Sequence, residues 1–131
     1  MIDHITLRVR DLVQSKRFYD QVLKPLKMTV NFGSVEDGFW GFGDGKDPEF
    51  EISEGRFFIS ETEEGSCFVP VHVAFRAKNQ ATVRAFYEAA LASGGTDNGA
   101  PGLRPDYGET YFAAFVLDPD GNNIEAVTFD A

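Results

Sequence analysis

The chain contains two copies of one unit, and that repeat restricts its architecture more than any other feature. Residues 4–23, HITLRVRDLVQSKRFYDQVL, align without gaps to residues 72–91, HVAFRAKNQATVRAFYEAAL, at a shift of 68. His4, Arg8, Phe18, Tyr19 and Leu23 recur as His72, Arg76, Phe86, Tyr87 and Leu91. A unit repeated within 131 residues is too short to stand as two independent domains. No Pro-, Ser- or charge-rich linker separates the copies, and Glu63 to Ser66 is the only short connection. The expectation is one domain over 1–131 with a shared core, module 1 covering about 1–65 and module 2 about 66–131.

Ile5, Leu7, Val9 and their counterparts Val73, Phe75, Ala77 alternate with the period of two that marks a half-buried strand. His4, Thr6 and Arg8, and in the second copy His72, Ala74 and Arg76, then lie on the opposite face. Asp11 and Asn79 follow as N-caps of a helix whose apolar residues keep i, i+3, i+4, i+7 spacing: Phe18, Tyr19, Val22 and Leu23, then Val83, Phe86, Tyr87, Ala90 and Leu91. Pro25 ends the first helix and the pair Gly94-Gly95 the second.

Short aromatic-rich runs then predict a three-strand meander in each copy. The first-copy strands fall near 27–32, 38–43 and 49–54, with 56–61 extending or following the last; the second-copy strands fall near 103–107, 110–117 and 123–129. The turn Asp118-Pro119-Asp120-Gly121 has its counterpart around Asp44 and Gly45. These turns align at a shift of 74, so the second copy carries an insertion, placed in the Gly-rich 94–102 stretch. The fold class is α+β: two tandem βαβββ modules forming a curved, partly closed barrel-like sheet around one pocket, with the helices outside.

Composition narrows the function classes. An apolar content of 43% with 13 Phe supplies a core and excludes a disordered chain. A net charge of −9 disfavours nucleic acid and anionic membranes as partners. No apolar run approaches the roughly 20 residues that cross a bilayer, and the N-terminus begins with strand-like sequence, so a soluble cytoplasmic protein is expected. The single cysteine, Cys67, reads as structural filler, and Glu61, Glu63 and Glu64 as a solvated loop.

Both histidines of the chain occupy the same repeat position. In the last strand of each copy, Phe50 and Ile52, or Ile124 and Ala126, are placed to pack under a helix, so Glu51 or Glu125 points the other way. If the sheets curve toward one another, His4, Glu51, His72 and Glu125 converge as an N2O2 ligand set. The two imidazoles face each other, and an open position remains for water or substrate on a divalent metal. Taken singly, a strand histidine is an ordinary hydrogen-bonded residue and a strand glutamate an ordinary solvated one; the repeat relation makes the four a set. Glu51 is the least distinctive, because Glu49 and Ser53 share its face. Arg8 and Arg76 lie four residues beyond each histidine, where a guanidinium holds a substrate carboxylate fork-to-fork or pairs with neighbouring acids. Trp40, Phe42, Tyr107 and Tyr111 are candidates to line the pocket, but aromatic strand residues are more often plain core, and the four are read as core.

The segments MIDHITLRVRDLVQSKRFYDQVL, PVHVAF and AAFVLDPDGNNIEAV resemble the vicinal-oxygen-chelate superfamily, which includes glyoxalase I, fosfomycin-resistance proteins, extradiol dioxygenases and bleomycin-resistance proteins. The likeness covers nearly the whole chain. His4, Glu51, His72 and Glu125 fall on the metal-ligand positions of glyoxalase I in the same order, and Arg8 on its substrate-carboxylate arginine. The resemblance implies a divalent metal (Ni, Co, Zn, Fe or Mn) that polarises a hemithioacetal and stabilises an enediolate, with Glu125 as general base and Glu51 as ligand or second base. It also implies a homodimer that completes the pocket. No glutathione-contacting loop is recognisable, and 98–110 differs from well-known glyoxalases, so the thiol cosubstrate stays open.

Three functions follow. The first is a metal-dependent lyase or isomerase of glyoxalase I type acting on a small molecule. The second drops Glu51, leaving His4, His72 and Glu125 as the two-histidine, one-carboxylate set of iron dioxygenases and manganese thiol transferases. The third is a metal-free cup that binds an aromatic or cationic drug, as bleomycin-resistance proteins do.

Overall fold

The computed structural model describes residues 1–54 and 69–130. Cys67, the Glu61, Glu63, Glu64 cluster, the run 56–61 and the connection at Glu63 to Ser66 lie outside the described residues.

Each copy folds as strand, helix and meander. Module 1 runs β1 (Ile5–Arg8), α1 (Leu12–Val22), β2 (Thr29–Ser34), β3 (Phe39–Gly43) and β4 (Phe50–Ser53); module 2 runs β5 (His72–Arg76), α2 (Gln80–Ala92), β6 (Thr96–Leu103), β7 (Phe112–Leu117) and β8 (Asn123–Thr128). The sheets have the orders β1-β4-β3-β2 and β5-β8-β7-β6, with β1 parallel to β4 and β5 parallel to β8. The partly closed sheet expected from the sequence is not seen: the described residues form two open four-stranded sheets with no ladder between them.

The helix boundaries follow from local chemistry. Asp11 accepts from Gln14 N and Asn79 from Thr82 N, at 3.1 and 2.9 Å, satisfying amides that the helices leave orphaned. The chain leaves α2 through Gly94 at φ +95, as expected. Leu91, expected in the buried stripe, is exposed.

One core serves both modules: Phe18, Tyr19, Phe42, Phe50, Phe86 and Ile124 are all buried within it. Phe50 of β4 packs edge-on against Phe75 of β5 at 5.2 Å. The Tyr19 hydroxyl crosses from α1 to donate to the Asp118 carboxylate at 2.6 Å. Asp118 also accepts from the amides of Asp120 and Asn122, so the DPDG turn anchors one module to the helix of the other. Among the described residues no helix is long and apolar enough to cross a membrane.

The meander of module 2 departs from expectation. The strand placed at 103–107 lies instead at Thr96–Leu103, within the Gly-rich stretch assigned to the insertion. The strand is legible only through its partner. It pairs with β7 with irregular register around Gly99 and Gly102, and a Cβ on Gly99 would stand 2.9 Å from the Phe115 ring. The extra residues are distributed: β6 has eight residues against six in β2, and the following turn is longer, 104–111 against 35–38.

Candidate metal and active site

Glu125 lies on β8, the central strand between β5 and β7, and is 1% exposed. A carboxylate so placed must have its lone pairs met, because desolvating a charge without partners is costly. His72 meets one oxygen, with Nε2 2.8 Å from Oε2, and the Tyr111 hydroxyl donates to Oε1. The His72 side chain is half exposed, so the pair opens to solvent through the imidazole. Burial first, and then the bond to Glu125, pushes the Tyr111 phenol up to about 12.

The same relation recurs in module 1 with looser geometry. The register pairs Thr6 with Glu51 as it pairs Ala74 with Glu125. Thr6 Oγ1 donates to Glu51 Oε1 at 2.8 Å, and His4 Nε2 stands 3.9 Å from that oxygen. His4 Nδ1 is 2.6 Å from Asp3 Oδ1. That hydrogen bond, and next the charge of Glu51, raise the His4 pKa above 6.5.

The structure therefore brings the four sequence-predicted ligands together as two pairs. Among the described residues no three His, Cys, Asp or Glu side chains gather closely enough to hold a metal ion. The two imidazoles expected to face each other in one pocket therefore do not meet within the described residues of a single chain. The reason is topological: each glutamate sits on the strand beside its own histidine, and the two sheets share no ladder. Each pair sets one imidazole nitrogen beside one carboxylate oxygen, donor types that divalent metals accept. The 2.8 Å between His72 Nε2 and Glu125 Oε2 resembles the roughly 3 Å between neighbouring ligand atoms about 2.1 Å from a metal.

A family model described as the Glyoxalase/Bleomycin resistance protein/Dioxygenase superfamily matches residues 1–126. The chain belongs to that superfamily. It is 30% identical over 127 residues to a probable lactoylglutathione lyase of Vibrio cholerae, covering 95% of this chain and 87% of that one. Its structure is similar to a glyoxalase/bleomycin resistance protein from Albidiferax ferrireducens, with TM-score 0.76, 26% identity and 96% of each chain covered. In fold it also matches a lactoylglutathione lyase from Agrobacterium tumefaciens at TM-score 0.67 and 16% identity, covering 98% of this chain and 92% of that one.

In this glyoxalase-superfamily chain the two arginines part company. Arg8 lines a cavity of about 400 Å³ with Thr6, Val69, Val71 and Val73, at the edges where β1 and β5 approach. Arg76 stacks its guanidinium 4.8 Å over the Phe129 ring. Of the aromatics read as core, Phe42 is buried, Trp40 lies beneath Lys16, and Tyr107 is exposed. Tyr111 is the site residue that sequence reasoning missed. The signal was parity: Phe115 stands opposite Glu125, and Tyr111, four residues before it, shares that face.

Proposed function

We propose that two copies of the chain pair so that His4 and Glu51 of one meet His72 and Glu125 of the other, forming two N2O2 centres per homodimer. The reading is a glyoxalase-type lyase or isomerase acting on a small molecule, with a hemithioacetal as the substrate class. The observation that carries it is the division of the ligands into two complementary pairs within one chain, each with one imidazole and one carboxylate. The distant similarity to a probable lactoylglutathione lyase supports the reaction class.

A divalent metal held by His4, Glu51, His72 and Glu125 supplies Lewis acidity toward a substrate oxygen. The residues of the chain do the rest. Tyr111 occupies Glu125 Oε1 and leaves Oε2 as the oxygen facing His72. Glu125 would act as the positioned general base, taking a proton from one substrate carbon and returning it to the next. Glu51, held by Thr6, serves as ligand or second base. Arg8 and Arg76 lie on the same strand faces as the histidines and hold a substrate carboxylate.

Protein reconstituted with Ni, Co or Zn is expected to bind one metal per chain and to turn over a mixture of methylglyoxal and glutathione. Metal binding without turnover of that mixture contradicts the hemithioacetal assignment; failure to bind any of the three contradicts the centre itself. The longer 3.9 Å from His4 to Glu51 favours one second reading, in which His4, His72 and Glu125 alone hold Fe or Mn as a dioxygenase or thiol transferase site. Fe(II)-dependent oxygen uptake with a catechol separates the oxygenase from the lyase.

A further inference from the structure

A second cavity, of about 620 Å³, opens where the loop after α1 meets the ends of β5 and β8 and the start of α2. Lys27, Arg76, Lys78, Thr82 and Thr128 line it, with Asp130 as its one acidic residue. In a chain of net charge −9, three cations against one carboxylate around one cavity are a local excess of positive charge. Ion pairs among the described residues lie elsewhere, Arg10 with Asp120 and Lys16 with Asp20, while Lys27, Arg76 and Lys78 form none there.

Two features give these cations defined positions. The face of Arg76 rests on Phe129 at 4.8 Å, which fixes the guanidinium plane and leaves its edge of N–H donors for a ligand. Lys27 is the single non-glycine residue with positive φ among those described, at +60. It closes the loop after α1, where Lys27 N donates to Lys24 O and Met28 N to Leu23 O. Glycine or asparagine ordinarily fills such a position, so a lysine there, itself lining the cavity, is held at some backbone cost. Thr128 Oγ1 accepts from Asp130 N, so its own proton remains to be donated. The positive end of α2 lies along the same wall, through Lys78 and Thr82.

We propose that this cavity binds the carboxylate or phosphate group of a small molecule, through Lys27, Lys78 and the edge of Arg76. It needs no metal and none of the four candidate ligands; it shares Arg76 alone with the lyase reading, and Lys27 and Lys78 are the residues whose loss tests it. Phe129, on the cavity wall, packs edge-on against Tyr111 at 5.2 Å, and Tyr111 in turn donates to Glu125.

The test is calorimetric titration of the metal-free full-length chain, at fixed ionic strength, with inorganic phosphate and with succinate as probes. The expected result is saturable binding of at least one probe at one site per chain, weakened about tenfold in Lys27→Gly and in Lys78→Gln. Lys16→Gln, a lysine outside the cavity, is expected to bind as the native chain does. Lys27→Gly relieves the positive φ, so its melting temperature should not fall and its loss of binding cannot be unfolding. Binding of phosphate alone assigns the phosphate class; binding of succinate alone assigns the carboxylates. The proposal is overturned if neither probe saturates, if both cavity variants bind as the native chain does, or if Lys16→Gln weakens binding equally.

Discussion

Tyr111 decides how Glu125 behaves. A carboxylate 1% exposed has the Tyr111 hydroxyl as the donor to Oε1, and removing it leaves that buried oxygen unmet, at a cost of about 1–3 kcal/mol. Tyr111→Phe is therefore expected to lower stability by that amount in denaturant titrations. In the metal-loaded protein it should lower kcat about 10- to 100-fold with little change in KM if Glu125 is the base proposed above, because the tyrosine then orients the base rather than the substrate. A fall in KM-controlled binding alone would place Tyr111 on the substrate instead. At His4, Asp3 and Glu51 favour the protonated ring, so its pKa lies above 6.5 in the folded chain. The stabilisation this gives is complete below 6.5 and fades as pH rises through the raised value. Metal needs the neutral ring, so metal affinity should climb over that same interval, and His4→Ala should remove that component. The His and Glu positions were legible because a repeat exposes equivalent residues without any knowledge of pairing. Tyr111 was not, since its role depends on which residue of β7 stands opposite Glu125.

At the scale of elements, the helices were read to within a residue or two, because caps and apolar spacing are local chemistry. β6 was misplaced because nothing in TDNGAPGL resembles a strand; the ladder of β7 imposes it. The Tyr19–Asp118 bond yields a further expectation at this scale. Burial above all, with Asp118 adding to it, holds the Tyr19 phenol well above 10.0. A raised folded pKa means that the full contribution is present below about 10 and is lost as pH climbs beyond it. Alkaline unfolding should steepen above pH 10 and flatten in Tyr19→Phe, a variant that is also expected to lose about 1–3 kcal/mol near neutrality by leaving Asp118 short of a donor. An unchanged alkaline profile would remove Tyr19 from the account.

The whole molecule carries two imidazole–carboxylate pairs, the halves of the proposed centre, and leaves apolar side chains on its surface, among them Ile2, Val69 and Tyr107, each more than half exposed. Both features suit pairing of two chains. The two-module α+β architecture was readable from the repeat, whereas the separation of the pairs was not: sequence fixes which faces the ligands share, and sheet topology decides whether the faces meet. Mixing His4→Ala with His72→Ala chains tests the central claim most directly. Each variant alone has two broken centres, but a heterodimer restores one intact centre from the unmutated halves. After subunit exchange at equal amounts, about a quarter of the native metal content and turnover should return. If the mixture stays as empty and inactive as its parents while native chains bind metal, the ligands do not pair across two chains and the account is contradicted.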